Sequence, residues 1–318
     1  MATGRSQDAV TKPVHPGIIV LGTPRSGTTL LRRILGGHPS IACMGESNLL
    51  GACARFLESE RIAEDVEIGV LSGLGHAGFP RDEVLSRLRE FAFAFHREHA
   101  ARTGKPRWAE KTAFDAFHVE RIEELCGEHA YFLCVIRHGL DVACSLQELS
   151  AKNGGYLREL HAYVQRHPRP LEAFAHAWVD MTRAIRAFAA RHPRNALLLR
   201  YEDLVLNPSE CLAGALKFVG EPFHQELIEG AMHATGDIGL GDWKTYARQD
   251  IGSESIGRWK SLSRWTIGAL GAIANETLRE SGYDPVPVEA ARESEEAQRR
   301  YELGLLLGRA RHRSESDS

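Results

Sequence analysis

The run Gly22–Pro39, "GTPRSGTTLLRRILGGHP", follows at once on the apolar "GIIVLG" of residues 17–22. A short β-branched run, a loop bracketed by glycines and apolar residues at helical spacing describe a strand, a tight turn and a helix. In such a turn the backbone N–H groups and the positive end of the helix dipole face one point, which suits an anion. A nucleoside-triphosphatase loop of this outline keeps a lysine after its second glycine and a hydroxyl for Mg²⁺. Here Gly27 is followed by Thr28 and Thr29. Positive charge comes instead from Arg25, whose guanidinium can fork two oxygens of a phosphate or sulfate, while Ser26, Thr28 and Thr29 add hydroxyl donors.

Two further apolar runs, "YFLCVIR" from Tyr131 and "NALLLRYEDL" from Asn195, read as buried strands. Helical patterns fill the intervals at 28–35, 81–101, 119–126, 140–149, 171–190 and 208–219. Strand alternating with helix predicts an α/β fold, a central parallel sheet flanked by helices in three layers. Ligands in such sheets sit beyond the carboxyl ends of strands. All three strands end in polar clusters, "TPRSGTT", "RHGLD" and "RYEDL", so the three converge on one expected site.

Composition sets the outer bounds. A chain of 318 residues, 43% hydrophobic and 25% charged, has ample material for one large core. Its formal charge of -3 gives no support to wholesale nucleic-acid or membrane-surface binding, so any anion site must be read locally. The six cysteines contain no CxxC pair and several sit in apolar runs, which predicts buried thiols of a reducing compartment and no zinc site or disulfide framework. No apolar run approaches the roughly 20 residues of a membrane span, and the polar first sixteen residues lack the core of a signal peptide. A cytoplasmic protein is the expectation. Residues 1–16 read as a flexible tail, 17–285 as the functional domain, and 286–318 as a terminal helix with a frayed polar end.

At this point "TPRSGTTLL" resembles the 5′-phosphosulfate loop of sulfotransferases that use 3′-phosphoadenosine 5′-phosphosulfate (PAPS). "CVIRHGLDVACSL" is similar to that family's 3′-phosphate motif, an arginine at a strand end and a serine eight positions on, here Arg137 and Ser145. His138 stands where family members usually carry Asp. "LLLRYEDLVLNP" resembles the segment whose tyrosine contacts the nucleotide, which points to Tyr201, and "SIGRWKSLS" resembles the late segment that closes over the donor, bringing Arg258 and Lys260 to a phosphate. "GDWK" adds Lys244 as a further candidate. The resemblance runs from Gly22 to Lys260 and implies a P-loop-like fold, PAPS as cosubstrate and no metal.

Sulfuryl transfer needs a base for the acceptor proton, positive charge on the moving sulfonate and help for the departing phosphate. The resemblance assigns charge to Arg25 and to Lys111, which matches the lysine of the family's "EKTP" stretch with Ala113 in the proline's place. Cytosolic small-molecule sulfotransferases keep a catalytic histidine just past that Lys-Thr, where this chain again has Ala113. "CMGESNLL" resembles instead the "GE" segment of protein-tyrosine sulfotransferases and bacterial relatives, making Glu46 the base, with Glu110 and His118 as substitutes. His118 is placed on the apolar face of a helix. The acceptor, a small molecule or peptide, is expected against residues 49–104 and 150–178, including "GHAGFP", Tyr156 and Tyr163. A homodimer is left open. The competing readings are a degenerate P-loop kinase or nucleotidase, which the missing lysine disfavours, and a non-catalytic nucleotide-binding protein, which has no use for Glu46 and Lys111.

Overall fold

A computed structural model describes residues 16–228 and 253–288. Strand β1 (Gly17–Gly22) is buried from end to end and turns directly into helix α1 (Thr28–Gly37). The chain continues through β2 (Ile41–Cys43), α2 (Leu49–Phe56), an antiparallel hairpin of β3 (Ser59–Ala63) and β4 (Val66–Gly69), α3 (Val70–His76) and the long α4 (Arg81–Arg102). Strand β5 (Arg107–Glu110) follows, then a 3-10 turn at Ala113–Phe117, α5 (Val119–Cys126), β6 (Ala130–Ile136) and α6 (Gly139–Asn153). After α7 (His161–Arg166) and α8 (Pro170–Arg191), β7 (Ala196–Arg200) leads into α9 (Tyr201–Leu206) and α10 (Pro208–Val219). A 3-10 turn at Arg258–Ser261 and α11 (Arg264–Glu280) complete the described chain.

The main sheet has five parallel strands in the order β2-β5-β1-β6-β7. Both faces are covered, which is why β1 and β6 read as unbroken apolar runs and not as alternating ones. Strand alternation still sorts the side chains. Ile18, Val20, Leu133 and Val135 pack toward α1, α9 and α10, whereas Ile19, Leu21, Phe132 and Cys134 pack toward residues of α4, α6 and α8. The α6–α8 crossing is close enough that a Cβ on Gly139 would lie 2.5 Å from the ring of the fully buried Trp178.

The three expected strands are all present, each within a residue or so of its expected start. The third, however, ends at Arg200, and "YEDL" opens a helix. The sheet also contains β2 and β5, which the sequence reading did not anticipate. Of the six cysteines, Cys53, Cys126 and Cys134 are buried, and Cys43, Cys144 and Cys211 are partly so, all as free thiols. Among the described residues, no helix is long and apolar enough to cross a membrane. Residues 1–15, expected to form a tail, residues 289–318, expected to carry a terminal helix, and Lys244 lie outside the described residues.

Candidate active site

The loop after β1 is held in a strained shape. Arg25 lies at φ 72 and Gly27 at φ 88, both in the left-handed region, and a non-glycine there marks a functional constraint. Gly27 has a second reason to lack a side chain, because a Cβ would sit 2.2 Å from Cδ2 of Tyr201. The Ser26 N–H donates to the Thr23 carbonyl at 3.1 Å, and the hydroxyls of Thr23 and Ser26 are hydrogen-bonded to each other. Ser26, Thr28 and Thr29 are buried at the start of α1.

The three expected strand ends meet here. Arg25 Nε donates to Ser145 Oγ at 3.0 Å, joining the loop after β1 to the helix after β6. Arg137, at the end of β6, donates from Nη1 to the Arg25 carbonyl at 2.8 Å and from Nη2 to the Ser255 carbonyl. Its guanidinium lies 4.6 Å from the centroid of the Tyr201 ring, which follows β7. Nε of Arg137 is buried without a hydrogen-bond partner, a donor an incoming anion could satisfy. Two arginines, a ring of hydroxyls and a helix N-terminus thus fit a phosphate-bearing ligand.

A fourth strand end, that of β5, approaches from the other side. Lys111, 2% exposed, donates from Nζ to Thr29 Oγ1 at 2.9 Å and forms an ion pair with Glu46 Oε1. The other carboxylate oxygen, Oε2 of Glu46, is buried with no partner. Glu46 precedes α2 by three residues, so it is not a first-turn carboxylate answering that helix's dipole.

The two substitute bases are set in different surroundings from Glu46. Glu110 is fully enclosed, accepting hydrogen bonds from Ser47 and Thr112, and burial raises its pKa to about 7. His118 lies at the boundary between the 3-10 turn and α5 instead of on a helix face, 3.6 Å from Glu58. It lines a cleft of about 380 Å³ with Tyr163, whose hydroxyl donates to Asp180 at 2.9 Å. Gly75, Gly78 and Phe79 of "GHAGFP" line a different cleft of about 650 Å³ beside the hairpin. Neither cleft includes Glu46 or the loop after β1.

The late segment is fastened by a residue that sequence reading overlooked. Asp141, fully buried in the first turn of α6, accepts the Gly257 N–H at 2.8 Å and the Trp259 N–H at 3.2 Å, fixing the turn that carries Arg258 and Lys260. The signal was present in "RHGLD", four residues after Arg137, where a helix-start aspartate reads most simply as a dipole partner. Arg258 itself pairs with Glu148 of α6, and Lys260 lies 5.9 Å from the Trp259 ring. His138 stacks on Trp259 at 5.2 Å with an interplanar angle of 6°, and meets Tyr283 edge-on. Burial pushes its pKa down to about 4, so a neutral aromatic ring occupies this place. Glu202 of "YEDL" joins the same cluster, accepting from the His138 N–H at 3.0 Å and the Tyr283 hydroxyl at 2.7 Å.

Comparison with known proteins gives a consistent likeness. A family model described as "Sulfotransferase family" matches residues 16–225. The chain is 26% identical over 217 residues to a protein-tyrosine sulfotransferase of Drosophila melanogaster, covering 67% of this chain and 40% of that protein. It is 24% identical over 238 residues to protein-tyrosine sulfotransferase A of Caenorhabditis elegans, covering 75% of this chain and 58% of that one. The chain therefore spans about half the length of these curated relatives. Among solved structures, the sulfotransferase domain from the curacin biosynthetic pathway superposes with a TM-score of 0.56 at 21% identity, over 85% of this chain and 99% of that domain, a likeness of fold.

Proposed function

This chain belongs to the sulfotransferase family, and from that membership we propose that residues 17–285 move the sulfuryl group of PAPS to a hydroxyl or amine of a small-molecule or peptide acceptor, with Glu46 as general base. The observation that carries the reading is Lys111, whose ammonium touches both Glu46 and Thr29 and so sets an acid–base group beside the anion loop. Arg25, Ser26, Gly27, Thr28 and Thr29 hold the 5′ side of the donor. Arg137, Ser145 and Tyr201 hold its 3′-phosphate and base, with Arg258 and Lys260 closing over it. Thr28 in the place of the P-loop lysine supports chemistry without a metal. The free thiols fit a cytoplasmic setting.

The pairing of Glu46 with Lys111 gives the proton transfer an electrostatic consequence. Oε2, free of hydrogen bonds, accepts the acceptor's proton as the new O–S or N–S bond forms and the S–O bond to the phosphate breaks. Once protonated, Glu46 no longer neutralises Lys111. The ammonium, held by Thr29 at the start of α1, then directs its charge to the developing negative charge on the leaving phosphate. Base and electrophilic stabiliser are in this way switched by one proton.

The test is labelled PAPS with a panel of phenols, alcohols, amines and tyrosine peptides, applied to wild type and Glu46→Gln. Glu46→Gln should bind adenosine 3′,5′-bisphosphate normally and turn over about 10²–10⁴-fold more slowly. Unchanged turnover removes Glu46 as base. Tight bisphosphate binding with no donor consumption would favour a non-catalytic binder, and Mg²⁺-dependent ATP turnover would favour a kinase or nucleotidase.

A further inference from the structure

Glu110 takes no part in the reaction derived above, yet it is tied to the segment that presents the base. Its Oε1 accepts from Ser47 Oγ at 3.0 Å and from Thr112 Oγ1 at 2.7 Å. Both hydroxyls in turn accept main-chain N–H groups of the same turn: Leu49 N–H at 3.2 Å on Ser47 Oγ, and Asn48 N–H at 3.2 Å on Thr112 Oγ1. Asn48 stands at φ 56, in the left-handed region that asparagine tolerates. Lys111, the residue immediately after β5, meets Glu46 through its ammonium. The end of β5 therefore grips residues 46–49 twice, by a carboxyl through two hydroxyls and by an ammonium directly.

We propose that Glu110 is a positioning residue for sulfuryl transfer, its carboxyl fixing the 46–49 turn through Ser47 and Thr112 so that Glu46 meets the acceptor in one geometry. The proposal rests on Glu46 being the base. Around Glu110 stand His96 from α4, Asp115 from the 3-10 turn, Cys43 from β2, and Glu46 and Lys111. Oε2 has no hydrogen-bond partner and lies 3.4 Å from Nε2 of His96, a fully enclosed ring stacked on Trp108 whose own nitrogens are also without partners. Burial favours the neutral form of both groups, and Oε1 is the acceptor for the two hydroxyls whether or not the carboxyl is protonated. A glutamine presents the same acceptor, with an NH₂ toward His96.

The experiment compares Glu110→Ala, Glu110→Gln, Ser47→Ala and Thr112→Val in the full chain, by hydrogen exchange of the 46–49 amides, bisphosphate calorimetry and turnover of labelled PAPS with the acceptor panel. Glu110→Ala should speed exchange at Asn48 and Leu49 by about tenfold or more and slow turnover about 10- to 100-fold, with bisphosphate affinity within about threefold of wild type. Glu110→Gln should restore both exchange and turnover. Wild-type exchange or wild-type turnover in Glu110→Ala overturns the proposal, as does a Glu110→Gln variant no better than Glu110→Ala. If Glu110→Ala fails to fold, the single-hydroxyl variants decide: loosened exchange with slowed turnover supports the proposal, and wild-type behaviour in both overturns it. Wild-type turnover in Glu46→Gln would overturn the base assignment and this proposal together, whereas a slow Glu46→Gln beside an unimpaired Glu110→Ala overturns this one alone.

Discussion

Replacing Glu110 by glutamine should tilt the pH dependence of folding stability, and the size of the tilt follows from its pairing with His96. Burial raises Glu110 from 4.5 to about 7 and lowers His96 from 6.5 to about 4. The raised acid contributes stability that is complete below pH 4.5 and is lost as pH rises through about 7. The depressed histidine contributes stability that is complete above pH 6.5 and is lost as pH falls through about 4. Between pH 4.5 and 6.5 the folded pair is a neutral carboxyl beside a neutral ring, and the unfolded pair a carboxylate and an imidazolium. Each state binds one proton, so in wild type the two slopes cancel. Glu110→Gln removes one of them, leaving stability that rises by about 1.4 kcal/mol per pH unit, or about 3 kcal/mol across this interval. His96→Phe should show the opposite slope. Urea unfolding followed by tryptophan fluorescence, each variant read against wild type at each pH, isolates the difference from Asp115, whose carboxyl burial also pushes up, and from surface groups. Curves for both variants that run parallel to wild type within about 1 kcal/mol would refute the neutral-pair reasoning.

Three further outcomes are expected. Gly27→Ala, forced to φ 88 against the Tyr201 ring, should weaken bisphosphate binding by about 1–3 kcal/mol, and calorimetry giving wild-type affinity would show that the loop does not need this shape. Lys111→Met strands the Glu46 carboxylate in a buried site and should destabilise the fold by about 3–5 kcal/mol. Adding Glu46→Gln should recover part of that loss in chemical denaturation, and a harmless Lys111→Met would mean that the pair does not form. Arg137→Ala should lower bisphosphate affinity by about 1.5–3 kcal/mol, and normal affinity would sink the 3′-phosphate assignment.

What the sequence made legible was local. The β1 run, its loop and α1 are contiguous, so periodicity and turn chemistry specify them together, and Arg25, Ser145, Arg137 and Tyr201 do converge where the strand ends predicted. Strand β5 escaped because it is only four residues long and begins and ends on charged side chains, Arg107 and Glu110, whose burial is decided by distant partners such as Glu221 and His96. Missing β5 hid the reason that Glu110, Lys111 and Thr112 act on one turn. "YEDL" reads as the polar end of the third strand, whereas the strand stops at Arg200 and Tyr201 opens α9 with its ring against Gly27, a long-range contact that no local pattern shows. His138 was read only as a departure from a family pattern. Its stacking on Trp259, 121 residues later in the chain, lies beyond any local signal.

The interlock of Arg25 with Ser145, and of Arg137 with the Arg25 and Ser255 carbonyls, bears on how a ligand would be received. The Arg137 carbonyl is itself fixed by the buried indole N–H of Trp178 at 3.1 Å, so the side chain stems from an anchored backbone. The rotamer freedom of these long side chains has already been lost at folding. Association then carries little ordering cost at these donors, and they discriminate by their fixed spacing more than by wrapping around whatever enters. In calorimetry, a compound that mimics only one phosphate should bind at least about tenfold more weakly than the bisphosphate, since a lost charged contact costs about 1.5–3 kcal/mol.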